Sequence, residues 1–184
     1  MSISIYRAVS IGALGGVAAF LAEGPAAHYG AQLFPILIGW AGYYHFGGKI
    51  EGVKKALLHL LAGVVLAGVA LALSTRLPYG ETLGAPAWTA IAVAITLGVL
   101  VFASRLSALS DFAVAILGYA TLFALAGVSD RGERIIALSQ DNPIAVAVPL
   151  LAGVIFALLS DYLTEALQRY VPLRGQRPQS ATSA

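Results

Sequence analysis

Six runs of about 20 mostly apolar residues follow one another along the chain, each long enough as a helix to cross the hydrocarbon core of a bilayer. They lie at about 6–22, 29–47, 53–73, 86–104, 109–128 and 143–163. A backbone placed in that core has no water to bond and must satisfy its polar groups internally. The expected fold is therefore all-α: a polytopic membrane helix bundle with six transmembrane helices. Composition agrees, with 59% hydrophobic and 11% charged residues among 184. A soluble domain carries about 25% charged residues. These proportions exclude a disordered chain, a nucleic-acid-binding module and an ordinary soluble enzyme.

Local signals set the boundaries. Glu23-Gly24-Pro25 stops the first run, Thr75-Arg76-Leu77-Pro78 the third and Arg105 the fourth. Pro86 suits an early helical position, and Asn142-Pro143 is a start signal for the sixth run. Pro149 predicts a kink there. The N-terminus is not expected to be a cleaved signal, because its small-residue region merges into Glu23-Gly24-Pro25. Residues 1–172 form one membrane domain, and 173–184 read as a disordered polar tail. Arg7, Lys49, Lys54, Lys55, Arg105, Arg169, Arg174 and Arg177 fall on one side of this topology, and only Arg76, Arg131 and Arg134 on the other. The basic side faces the cytoplasm. The expectation is a multi-pass membrane protein with both termini in the cytoplasm.

Short matches recur in order. Gly16-Val17-x-x-Phe20 resembles Gly98-Val99-x-x-Phe102. Gly39-Trp40-Ala41-x-x-Tyr44 resembles Gly118-Tyr119-Ala120-x-x-Phe123. Leu60-Leu61-Ala62-Gly63-Val64-x-x-Ala67 resembles Leu150-Leu151-Ala152-Gly153-Val154-x-x-Ala157. They predict two repeats, about 6–74 and 86–164. A three-span unit begins and ends on opposite sides, so tandem copies lie inverted. Such 3+3 inverted repeats are characteristic of transporters.

Gly12 with Gly16, Gly63 with Ala67 and Gly153 with Ala157 are spaced for close helix packing, within the bundle or in a homo-oligomer. Charged residues within spans are candidate functional groups. Asp111, Asp161 and Glu23 qualify, although all three lie near expected span ends where water can solvate them. Trp40 and Tyr44 match Tyr119 and Phe123, which suggests an aromatic constriction built twice, or else core packing with an interfacial belt. His28, His45 and His59 are the only histidines and show no metal-ligand spacing such as H-E-x-x-H. Gly47-Gly48-Lys49 lacks the remaining residues of a phosphate-binding loop. The cluster Asp130-Arg131-Gly132-Glu133-Arg134 is a solvated loop or a cap over the external mouth. No cysteine is present, which removes disulfides and thiol chemistry. No metal, cofactor or nucleic acid is expected, and no catalytic motif such as G-x-S-x-G occurs.

The run Gly39-Trp40-Ala41-Gly42-Tyr43-Tyr44-His45-Phe46-Gly47-Gly48, then Gly52 and Gly63, resembles a family of small bacterial inner-membrane proteins. Leu117-Gly118-Tyr119-Ala120-Thr121-Leu122-Phe123-Ala124 and the stretch 153–161 resemble its later hallmarks. This is the YcdZ-like family, domain of unknown function DUF 1097, and the resemblance covers about 8–165. It implies a multi-span inner-membrane protein and supplies no substrate or site residue. From the residues themselves, the expected function is a channel or transporter for a small polar or uncharged solute. The alternative is a structural or accessory subunit within a larger membrane complex. An enzyme is not expected.

Overall fold

The apolar runs fold as helices because a backbone among lipid chains must close its own hydrogen bonds. The computed structural model describes residues 5–26, 32–126 and 144–170. Among these residues every regular element is helical. In chain order they are α1 (Ile5–Glu23), α2 (Leu33–His45), α3 (Lys49–Arg76), α4 (Tyr79–Leu83), α5 (Ala85–Ala103), α6 (Phe112–Ala126) and α7 (Ile144–Tyr170). A 3-10 turn, Ser107–Leu109, precedes α6. His28, the Asp130–Glu133 cluster, the start signal at Pro143 and the tail 173–184 lie outside the described residues.

Four helices, α1, α3, α5 and α7, are long and apolar enough to cross a membrane. Within the described residues α2 has 13 residues and α6 has 15. At 1.5 Å per residue they reach about 20 and 22 Å, short of a hydrocarbon core of about 30 Å. The long helices extend past the expected spans. α3 begins at Lys49 rather than near residue 53. α7 continues through Asp161 to Tyr170, because the stretch 161–170 is rich in good helix formers and no breaker intervenes before Pro172. Asp161 therefore lies well within a helix rather than near its end. Asp111 accepts from the backbone N–H of Val114 at 3.3 Å and so caps α6. Pro86 sits in the first turn of α5, as expected, behind Gly84 at φ +84°.

The helices alternate in direction. Arg7 meets Asp161 and His45 meets Asp111. These contacts gather the start of α1, the end of α2, the start of α6 and the later part of α7 at one end of the bundle. At the opposite end the Trp88 indole N–H donates to the Leu73 carbonyl at 2.9 Å, joining α3 to α5.

The most extensive packing is between α3 and α6 and between α2 and α7. Glycines let both pairs approach to backbone contact. A methyl on Gly153 would lie 2.7 Å from the Ile36 carbonyl carbon, and one on Gly39 would lie 3.1 Å from that of Leu150. A methyl on Gly63 would lie 2.6 Å from the Tyr119 nitrogen, and one on Gly118 would lie 2.8 Å from the Leu60 carbonyl carbon. By contrast, Gly12 and Gly16 have nothing within 4 Å. Tyr43, Leu60, Leu122, Leu150 and Val154 are buried between these helices. α1 and α5 face outward with large apolar side chains, Phe20 at 71% exposure and Phe102 at 68%. Water penalises such surfaces, and lipid does not.

Candidate functional site

The end of the bundle that holds Arg7 contains the densest polar network. Its centre is Asp161, carried inward by the extended α7. The Tyr43 hydroxyl donates to Asp161 Oδ2 at 2.8 Å, and the Tyr44 hydroxyl to Oδ1 at 3.1 Å. Arg7 reaches Oδ1 at 3.4 Å, and its guanidinium lies 5.5 Å from the centre of the Tyr44 ring. Tyr44 and Ser160 hydroxyls are 2.6 Å apart. Ser160 gives its proton to the Ala157 carbonyl at 2.7 Å, so the single Tyr44 proton is shared between Ser160 Oγ and Asp161.

The turn between α2 and α3 completes this network. Gly47 and Gly48 adopt φ +80° and +77°, and Lys49 follows at φ +58°. Glycine takes such angles freely, whereas a lysine there is strained. The turn brings the Lys49 N–H to the Tyr43 hydroxyl oxygen at 2.8 Å. Accepting that bond polarises the hydroxyl that donates to Asp161. Gly48 packs so tightly that a side-chain carbon would lie 3.0 Å from Asp161 Oδ2. Beside the network opens a cleft of about 470 Å³, lined by Arg7, Tyr43, Lys49, Asp161, Glu165 and Gln168. Ile50 and Leu158 supply apolar wall.

A second cluster joins α2, α3 and the start of α6. His45 Nε2 contacts Asp111 Oδ2. The Asp111 N–H donates to His59 Nε2 at 3.2 Å, and His59 Nδ1–H donates to the Lys55 carbonyl at 2.7 Å. A carbonyl only accepts and an amide N–H only donates, so these partners fix the His59 tautomer. Phe46 lies over the His59 ring with centroids 4.8 Å apart. Burial pushes the Asp111 carboxyl upward, but hydrogen bonds from His45 and from the Val114 amide outweigh it, so the group titrates below its ordinary value.

The remaining candidates separate. Trp40 is buried and stacks on Phe156 of α7 at 6.1 Å. Its indole N–H has no hydrogen-bond partner among the described residues. Tyr119 stacks on Phe123 at 5.2 Å, and its hydroxyl pairs with Thr96 at 2.9 Å. Trp40 and Tyr119 are thus each held by their own partners. Glu23 closes α1 at the opposite end from Arg7 and is exposed. Asp161 and Tyr44 do meet. Sequence reasoning missed Arg7, Tyr43, Ser160, Thr96 and Phe156. Arg7 and Tyr43 bear the right chemistry, but only the fold brings them to a residue more than 100 positions away.

Apolar helices of spanning length, with large apolar side chains turned outward, define an all-helical membrane protein. The chain matches the family described as Protein of unknown function (DUF1097) over residues 8–165. It belongs to that family. No curated protein and no solved structure matches it significantly.

Proposed function

We propose that the protein is a transporter for small polar, net-neutral solutes, built from two inverted three-helix halves. The halves are α1–α3 and α5–α7. One observation carries the reading: the two glycine crossings exchange partners between the halves. Gly39 of α2 meets Leu150 of α7, and Gly118 of α6 meets Leu60 of α3. Gly153 of α7 meets Ile36, and Gly63 of α3 meets Ala115. These glycines and leucines occupy matched positions in the two repeats. Likewise α3 lies against α5 as α7 lies against α1. Such reciprocity is what an axis in the membrane plane requires, and it relates halves that can rock against each other. In this reading α2 and α6 are the remaining two of six crossings, and the Asp161 cleft opens toward the cytoplasm.

The test is stopped-flow light scattering on proteoliposomes with a panel of small solutes, including urea, glycerol, formamide and glycine. Faster relaxation than in protein-free liposomes for one or more solutes supports transport. Equal rates for every solute would overturn it. A second reading has one specific support. Gly12, Gly15 and Gly16 of α1 have nothing within 4 Å, and such a face suits another membrane helix. Co-purification with one stoichiometric partner, lost in Gly12→Leu, favours an accessory subunit.

A further inference from the structure

We propose that the cleft beside Asp161 binds a small zwitterion, a molecule carrying one ammonium and one carboxylate or phosphodiester group. The inference deepens the transport reading by naming the substrate class, and rests on it for the use to which the site is put. Four charged side chains line the cleft: Arg7 and Lys49, Asp161 and Glu165. Their charges sum to zero, which favours an occupant without net charge. They are not equivalent. Arg7 and Asp161 face each other at 3.4 Å, and Asp161 also holds both tyrosine hydroxyls. Lys49 and Glu165 have no ion pair among the described residues. They come from different helices, α3 and α7, yet border one cavity.

One spare cation and one spare anion define the ligand. A simple anion answers Lys49 and leaves Glu165 uncompensated. A simple cation does the reverse, and an uncharged solute answers neither. A zwitterion places an anionic group at Lys49 and an ammonium at Glu165, and the two contacts reinforce each other. Size fits as well. Small-molecule sites span about 300–1,000 Å³, and this cleft of about 470 Å³ is at the small end. Ile50 and Leu158 offer a wall for a short aliphatic group.

The backbone supplies an independent observation. Lys49 is the one non-glycine residue with positive φ among the described residues. Strain of this kind persists where the surroundings impose it, and it concentrates at ligand sites. Here the Tyr43 hydroxyl holds the Lys49 amide, so the network that satisfies Asp161 also fixes the residue that borders the cleft. A free amino acid and the ethanolamine headgroup of a phospholipid share the required chemistry.

The test is calorimetric titration of the full chain in phosphatidylglycerol nanodiscs. The probes are alanine, glycine, glycerophosphoethanolamine, propionate and ethylamine. The expected result is saturable binding of zwitterions, at least tenfold tighter than of propionate or ethylamine. Lys49→Gln and Glu165→Gln each weaken it tenfold or more. Arg169→Gln, which removes an exposed cation outside the cleft, leaves it unchanged. Both cleft substitutions are at exposed positions, and retained thermal unfolding shows that the fold survives. Propionate or ethylamine binding as tightly as alanine would overturn the proposal. So would zwitterion binding unaffected by both cleft substitutions, or no binding of any zwitterion. Binding of glycerophosphoethanolamine alone upholds the site and assigns it to a lipid headgroup. Binding without flux would overturn transport and leave the site. Flux of urea or glycerol without zwitterion binding would do the opposite.

Discussion

Gly153→Ala is expected to destabilise the bundle by about 3 kcal/mol, the upper part of the range for overpacked cores. The added methyl would lie 2.7 Å from the Ile36 carbonyl carbon and 3.0 Å from its Cα. Carbon atoms pack at about 3.5 Å or more, so α2 and α7 must part by about 1 Å. Backbone cannot rotate aside as a side chain can. A gap of that size forfeits about a quarter to a half of each affected dispersion contact. In a chain of this length about 1 kcal/mol shifts Tm by about 2–4 °C, which gives a fall of about 6–12 °C. The assay is thermal unfolding in detergent, followed by tryptophan emission. Gly16→Ala serves as the control: its site is open, and alanine is the better helix former. It should be neutral or slightly stabilising. Gly39→Ala with Gly153→Ala should cost less than the sum of the two, because the same helix pair is already parted. Gly63→Ala with Gly153→Ala should be additive. Equal Tm values for Gly153→Ala and Gly16→Ala would refute the reasoning.

Other expectations follow from single contacts. Tyr43→Phe removes a hydroxyl that links the Lys49 amide to Asp161, and a loss of about 1–3 kcal/mol is expected. An unchanged chemical-denaturation midpoint would contradict it. Thr96→Val strips the Tyr119 hydroxyl of its partner and should cost about 1–3 kcal/mol. Tyr119→Phe should cost less, since Thr96 keeps its bond to the Ala92 carbonyl. The reverse order of the two midpoints would refute the pairing. Asp111 titrates below its ordinary value in the folded protein, so its stabilising contribution is present above the unfolded pKa, about 3.9. That contribution is lost as pH falls through the folded value. His45→Ala removes one cause of the depression, so the acid-dependent loss of Tm should be smaller than in the native protein. Superimposable acid profiles would rule this out.

Much of the packing was legible in local sequence. Gly63 and Gly153 were marked by small-residue spacing, and both lie at helix crossings because only glycine allows backbone contact there. Asp161 stood out as a charge in an apolar run, and Tyr44 as part of an aromatic cluster. Helix extents were less legible. Hydropathy reads apolar content, so it missed the polar turns that carry α3 back to Lys49 and α7 on to Tyr170. It also began the fifth run before the start of α6 and carried the second past the end of α2. The network around Asp161 was illegible for another reason. Tyr43 and Arg7 meet it across 118 and 154 positions, and no local pattern encodes such a meeting. The histidines illustrate the same limit: His45 and His59 gain roles only when α6 brings Asp111 between them.

The most direct test of the inverted architecture is cysteine accessibility in sealed proteoliposomes. The native chain has no cysteine, so each introduced residue reports alone. Glu51→Cys and Ser107→Cys occupy the end of the bundle with the Asp161 cleft, and Glu23→Cys and Thr82→Cys occupy the other. In one oriented population, a membrane-impermeant maleimide should label the first two from one side and the last two from the opposite side. Labelling of Ser107→Cys and Thr82→Cys from the same side would place both ends of α5 on one face of the membrane and contradict the two inverted halves.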